Sequence, residues 1–229
     1  GEILFRTKLS ENLFKGLSPW MQKLPGGLIH VNVVGCALFA AISGSSAATV
    51  ATVGKMSIPE LRKRKYPEKI LLGSLAGSGT LGLLIPPSII LIIYGVAVQE
   101  SIAKLFIAGI IPGIMIALIF MSYVIIWSLV NKKKMPKVLE KYSFLEKIKK
   151  SQQLLPVILL ILGVIGSIYT GIATATEAAS LGVVGALILS FFQKSLNLET
   201  FKSSLLGATK TSCMIAFILA GSTFLSLAM

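Results

Sequence analysis

Residues 24–54, 70–99, 105–131, 151–176, 178–193 and 211–229 carry no charged side chain. A helix of about 20 residues crosses the roughly 30 Å hydrocarbon core of a bilayer, and most of these runs reach that length. Lipid offers no hydrogen bonds to backbone, so a spanning segment must be helical or closed on itself. The expectation is an all-α integral membrane protein, a polytopic helical bundle. Composition agrees: 54% of residues are hydrophobic, 14% are charged and the mean hydropathy is +0.84, far from the balance of a soluble domain. The chain starts on Gly1 rather than Met and stops inside "MIAFILAGSTFLSLAM", so it is expected to be a fragment of a longer protein.

The net charge is +13, but the basic residues flank apolar runs instead of forming a stripe with interleaved aromatics, so no nucleic-acid partner is expected. Three clusters hold 18 of the 22 basic residues: Arg6, Lys8, Lys15 and Lys23; Lys55, Arg62, Lys63, Arg64, Lys65 and Lys69; and Lys132, Lys133, Lys134, Lys137, Lys141, Lys147, Lys149 and Lys150. The positive-inside rule places all three in the cytoplasm. Cys36 and Cys213 fall in apolar runs and read as small buried hydrophobes rather than a disulfide.

Sidedness constrains the run 24–54. With cytoplasmic loops at both ends it cannot cross once. Split at Ser43–Ser46 it gives arms of about 17 and 9 residues, the second too short to span at about 1.5 Å per residue. The segment 26–54 is therefore expected to be a re-entrant hairpin with its tip at Ser43, Gly44, Ser45 and Ser46. Gly44 permits the turn, and Ser43, Ser45, Ser46 and Thr49 bring hydroxyl oxygens to a place where backbone is exposed. The alternative is one tilted helix whose small residues pack against a neighbour.

The run 70–99 then crosses outward and contains "LAGSGTLGLLIPPSIILIIYG". Gly77, Gly79 and Gly82 weaken the helix, and Pro86-Pro87 removes donors from carbonyls near Gly82 and Leu83. A helix broken at mid-depth is a usual transporter device for ion and substrate sites; a simple packing kink is the alternative. The return crossing lies in 105–131, so 70–131 forms a broken transmembrane helix plus a return helix. Residues 1–25 are expected to hold the end of a membrane helix and an amphipathic cytoplasmic arm, with Leu13, Phe14, Leu17, Trp20 and Met21 on one side. Residues 132–150 form a cytoplasmic linker in contact with anionic lipid.

No catalytic constellation is present. The chain has one histidine, no aspartate and no metal-type Cys/His spacing, so an enzyme is not expected. His30 and Asn32 lie in the first hairpin arm, where His30 is expected to be hydrogen-bonded structure. Glu177 is expected either to cap a helix start after Thr176 or to serve a partner or gate.

The motifs "AAISGSSAATVATVG", "GSGTLGLLIPPS" and "GIATATEAASLG", in this order, closely resemble the large membrane subunit of tripartite ATP-independent periplasmic (TRAP) transporters, the DctM-like family. The resemblance covers nearly the whole chain. It implies an inverted-repeat, elevator-type transporter in the bacterial inner membrane. The similarity of "GEILFRTKLS" at the start to "AGSTFLSLAM" at the end makes 151–229 the start of the second, inverted repeat, with residue 6 inside and residue 229 outside. The second hairpin and second broken helix would lie beyond Met229.

The resemblance further implies Na⁺-driven import of small organic anions of the C4-dicarboxylate, keto acid or sialic acid type. No cofactor is implied beyond Na⁺ as coupling ion. The implied partners are a periplasmic substrate-binding protein, a small DctQ-like membrane subunit, the organic anion and membrane lipid. Carried onto this chain, the substrate and ion site comprises Ser43, Gly44, Ser45, Ser46 and Thr49 at the tip, with Gly77, Thr80, Gly82, Pro86 and Pro87 at the break. Ser45, Ser46, Gly82 and Pro86 are the Na⁺ candidates. Two rival readings stay open: an ABC-transporter permease, because "EAASLG" at Glu177 is similar to the loop such permeases offer to an ATPase, and a non-transporting structural membrane subunit.

Overall fold

The computed structural model describes residues 2–6, 9–136 and 142–228. Of the expected positions, Lys8, Lys137, Lys141 and Met229 lie outside the described residues. The described residues form helices joined by short turns: α1 (Glu2–Phe5), α2 (Leu9–Met21), α3 (His30–Ser43), α4 (Ser46–Lys63), α5 (Glu68–Gly79), α6 (Ile89–Ala97), α7 (Ile102–Val130), α8 (Phe144–Ser151), α9 (Leu155–Tyr169), α10 (Ala175–Phe192) and α11 (Leu198–Ala228). This is the all-α membrane architecture expected from the uncharged runs. Four stretches are long and apolar enough to cross a membrane: Ile102–Val130, Phe144–Tyr169, Ala175–Phe192 and Leu198–Leu225.

The lengths sort these elements into two kinds. α7, with 29 residues, is about 43 Å long at 1.5 Å per residue and exceeds the bilayer core. α3 has 14 residues, α5 has 12 and α6 has 9, so each spans only about 14–21 Å. The short helices gather at the centre of the first part of the chain. α3 packs on both α4 and α5, and α2 lies across α3.

Leu13 and Leu17 from α2, Val31 and Phe39 from α3, Val53 and Leu61 from α4, and Leu71 and Leu75 from α5 share one buried cluster. Apolar transfer from water contributes little between helices already in lipid, so this cluster holds by close packing and buried hydrogen bonds. Asn32 supplies such bonds: its amide donates to the Leu71 carbonyl at 3.2 Å and to Ser74 Oγ at 3.0 Å, tying α3 to α5.

α4 runs past Gly54 to Lys63, beyond the expected end of the second hairpin arm. The physical reason is that an exposed lysine such as Lys55 is compatible with continued helical backbone bonding. The amphipathic arm expected within residues 1–25 is α2, with Leu13 and Leu17 buried and Trp20 exposed. Trp20 Nε1 donates to Ser151 Oγ at 2.7 Å, its ring meets Phe144 edge-on at 6.4 Å, and Lys147 Nζ lies 5.2 Å from the ring centroid. The end of the linker 132–150 is thus not all solvated. Its α8 joins α9 through the turn Gln152–Leu154, and Lys147 is buried against α2. Cys36 is buried as expected, whereas Cys213 is exposed on α11.

Candidate functional site

α3 ends on Gly44, which adopts the left-handed conformation (φ 62°, ψ 11°) and donates its N–H to the Ala40 carbonyl at 2.9 Å. A left-handed residue just past the last helical turn is the common way to stop a helix sharply. Ser45 is extended (φ −132°, ψ 126°) and caps α4, its Oγ accepting from Ala48 N at 3.4 Å. The chain therefore reverses between Ser43 and Ser46 as the serine and glycine content predicts. Inside the turn, Thr49 Oγ1 donates to the Ser45 carbonyl at 2.7 Å and lies 2.9 Å from Ser43 Oγ. Ser43 Oγ also accepts from Ser45 N at 3.3 Å. Ser46 Oγ is different: it is buried and has no hydrogen-bond partner.

The second interruption faces the first. α5 gives way to a tighter turn over Thr80–Leu83, and α6 starts only at Ile89. Between them Pro86 and Pro87 are joined by a cis peptide. Ser88 stands at the start of α6 and is fully buried, its Oγ donating back to the Leu83 carbonyl at 2.6 Å rather than capping α6. A carbonyl at the break is thus satisfied by a side chain.

The two interruptions are stitched together. Ile89 N donates to the Gly44 carbonyl at 3.2 Å. A methyl group on Gly82 would sit 2.8 Å from Ser45 C and Ser46 N, and one on Gly44 would sit 2.7 Å from the Pro87 carbonyl oxygen. Only glycine allows backbone to approach backbone this closely. At this junction meet the C-terminus of α3 and the N-termini of α4 and α6. The first carries partial negative charge and the other two partial positive charge. Neutral oxygens and a helix C-terminus suit a weakly held cation, and helix N-termini suit a carboxylate.

The structure thus brings together Ser43, Gly44, Ser45, Ser46, Thr49, Gly82, Pro87 and the buried Pro86. Gly77 and Thr80 point elsewhere. A methyl on Gly77 would meet the Phe120 ring of α7 at 3.1 Å, and Thr80 is exposed with its hydroxyl bonded to the Gly77 carbonyl at 2.7 Å.

Three further residues frame the junction and were not among the expected positions. Ser88 follows the proline pair directly. Gly109 and Gly113 of α7 back the break: a methyl on Gly109 would lie 2.8 Å from the Leu84 carbonyl oxygen, and one on Gly113 would lie 2.9 Å from Ile85 Cγ1. Their four-residue spacing in "AGIIPGIM" is the small-xxx-small signal of close helix approach.

His30 Nε2 lies 2.8 Å from the Pro25 carbonyl, the structural role expected of it. Glu177 is the third residue of α10 and closes a capping box. Its carboxylate accepts from Thr174 N and from Thr174 Oγ1, each at 2.8 Å. The cap is Thr174, two residues before the expected position.

The family model for the tripartite ATP-independent periplasmic transporter, DctM component, matches residues 1–229. The chain belongs to this family. DctM components are parts of transporters rather than enzymes, and the chain is a multi-pass protein of the bacterial inner membrane. An ATP-independent family also sets aside the ATPase-docking reading of "EAASLG".

The chain is 39% identical over 196 residues to the C4-dicarboxylate TRAP transporter large permease protein DctM of Pseudomonas aeruginosa, covering 85% of this chain and 45% of that protein. It is 34% identical over 226 residues to the sialic acid TRAP transporter large permease protein SiaM of Vibrio cholerae, covering 97% and 52%. It is also 34% identical over 230 residues to the ectoine/5-hydroxyectoine TRAP transporter large permease protein UehC of Ruegeria pomeroyi, covering 96% and 51%. The chain thus spans about half the length of these DctM-family relatives.

Proposed function

We propose that this chain supplies one half of the transport site of a Na⁺-coupled TRAP permease. That permease imports a small organic anion of the C4-dicarboxylate, keto acid or sialic acid type. A periplasmic binding protein delivers the anion, a small membrane subunit braces the permease, and an elevator movement carries the site across. The observation that carries the reading is the junction itself: the Ile89 N–H on the Gly44 carbonyl, with Ser46 Oγ buried and unpartnered beside Gly82. An interrupted backbone at membrane depth is tolerated where it is packed in protein or lines a cavity, and such breaks house transporter sites.

In this reading Ser46 Oγ and neighbouring carbonyls coordinate Na⁺, while the N-termini of α4 and α6 hold a substrate carboxylate. C4-dicarboxylate, sialic acid and ectoine, the compounds in the relatives' names, share a carboxylate. Re-entrance of the hairpin belongs to the same proposal. Its support is that both hairpin ends lie at one place: Leu28 N, at the start of the first arm, donates to Tyr66 OH at 3.0 Å, just past the end of the second. Lys132, after α7, borders the same region.

The deciding experiment is Ser46→Ala in the full-length permease, purified and melted over a Na⁺ series at constant ionic strength. Removing a hydroxyl that has no partner leaves Na⁺-free stability unchanged or slightly higher. Loss of an ion ligand shrinks the Na⁺-dependent rise in Tm, since ligand stabilisation follows the ratio of free ion to Kd. An undiminished rise rejects the ion site. For sidedness, cysteines replacing Lys63 and Lys134 are expected to react only from the cytoplasm, and one replacing Glu177 only from outside. Cytoplasmic labelling at Glu177 overturns the topology.

A further inference from the structure

A second recess lies at the base of the hairpin. Its cavity, about 320 Å³, has a partly apolar wall that includes Leu129 and Met135, and its polar lining comes from Gln22, Tyr66, Ser128 and Lys132 beside the Gly26–Gly27 turn. A water molecule takes about 30 Å³ of liquid, so this space holds a phosphodiester group with room to spare.

Its polar lining is unevenly satisfied. Ser128 is 3% exposed, and its Oγ has no hydrogen-bond partner. That oxygen would lie 3.0 Å from a methyl built on Gly26, so it faces the turn rather than lipid. Tyr66 OH accepts from Leu28 N, which leaves its proton for an outside acceptor. Burial, opposed by the Leu28 N–H, pushes the Tyr66 phenol above its ordinary value, so that proton is held at neutral pH.

Charge completes the setting. Lys132, Lys133 and Lys134 form the turn that follows α7, and no carboxylate among the described residues pairs with Lys132. The C-terminus of α7 brings partial negative charge, which these lysines outweigh. Donors, an unpaired cation and a membrane-edge position suit one ligand class, because basic pockets beside helix ends receive anionic lipid headgroups.

We propose that the recess bounded by Ser128, Tyr66 and Lys132 binds the phosphate of an anionic phospholipid, clamping the base of the hairpin to the end of the return helix. Ser128 Oγ and Tyr66 OH donate to phosphate oxygens, and Lys132 neutralises them.

The test uses the full-length permease in zwitterionic detergent micelles, titrated with short-chain phosphatidylglycerol, short-chain phosphatidylcholine or inorganic phosphate. Tm and lipid retained in native mass spectrometry are the readouts. Phosphatidylglycerol is expected to raise Tm and stay bound, and the other two to do neither. Ser128→Ala changes no charge and removes only an unpartnered hydroxyl, so lipid-free Tm holds. Loss of one hydrogen bond to a charged group weakens phosphatidylglycerol binding about tenfold or more. Lys132→Gln weakens it about fivefold. Three results overturn the proposal: inorganic phosphate reproduces the Tm rise, which makes the ligand a free anion; phosphatidylcholine binds equally, which removes the role of charge; or Ser128→Ala binds like wild type, which reduces the effect to diffuse surface attraction.

Discussion

Glycine does opposite things at the junction and at Gly163 and Gly166 of α9 and Gly221 of α11, although Gly185 of α10 packs against Leu160. At the junction, Gly44, Gly82 and Gly109 each sit where a single methyl would come within 2.7–2.8 Å of backbone atoms from another element. In α9 and α11, a methyl on Gly163, Gly166 or Gly221 would meet nothing within 4 Å. The residue type is the same. What differs is whether the lost side chain is replaced by someone else's backbone. The first use fixes a unique register between two broken helices; the second leaves a smooth helix face. The hydrogen bonds divide the same way: Asn32 and Ile89 bond across elements, while Ser167 of α9 and Ser190 of α10 bond back to their own helices and Glu177 closes the cap of α10.

The sharpest way to break this contrast is to add side chains. Gly82→Val in the full-length permease drives a branched side chain into Ser45 and Ser46. Overpacking costs about 1–3 kcal/mol; reconstituted uptake is expected to fall to background, and wild-type uptake in this variant removes the tight approach. Asn32→Ala removes two bonds to α5 and leaves a small void. It is expected to lower stability by about 1–2 kcal/mol, read from thermal or denaturant melts. In the second region, Thr174→Ala deletes a cap and is expected to cost about 1 kcal/mol. Hydrogen exchange should show that loss at the first turn of α10 and not at the junction; spread to Gly82 contradicts the division. The smallest effect is expected for Gly163→Ala: stability within about 0.5 kcal/mol of wild type, shifted upward by helix propensity, with uptake unchanged. A large loss there means that the open face is covered in the working permease.

Much of the architecture was readable because its signals are local. Charge-free runs gave the helices, Ser-Gly-Ser-Ser gave the turn, and the proline pair gave the break. The amphipathic stripe around Leu13 and Leu17 gave α2. Charge misled at the end of α4, because a lysine reports on solvent and not on backbone bonding. The site was half readable. Pattern named Ser46 and Gly82, but direction could not be read from pattern: Gly77 and Thr80 belong to the same glycine-rich stretch as Gly82, yet a helical step turns them toward α7 or outward. Gly109 and Gly113 were hidden because their spacing gains meaning only once the break is known to lie against them.

The bond from Ile89 N to the Gly44 carbonyl also has a meaning in time. Its acceptor leaves the ribosome about 45 residues before its donor. At 5–20 residues per second that is an interval of about 2–9 s. In the proposed re-entrant arrangement the nascent hairpin tip lacks, throughout that interval, the donor to its Gly44 carbonyl, in a setting that penalises bare backbone. The tip must shelter in the insertion machinery, at the interface or against water until the proline-broken helix arrives. In that arrangement the last bond of the tip waits for the proline-broken helix, and the two interruptions are completed together.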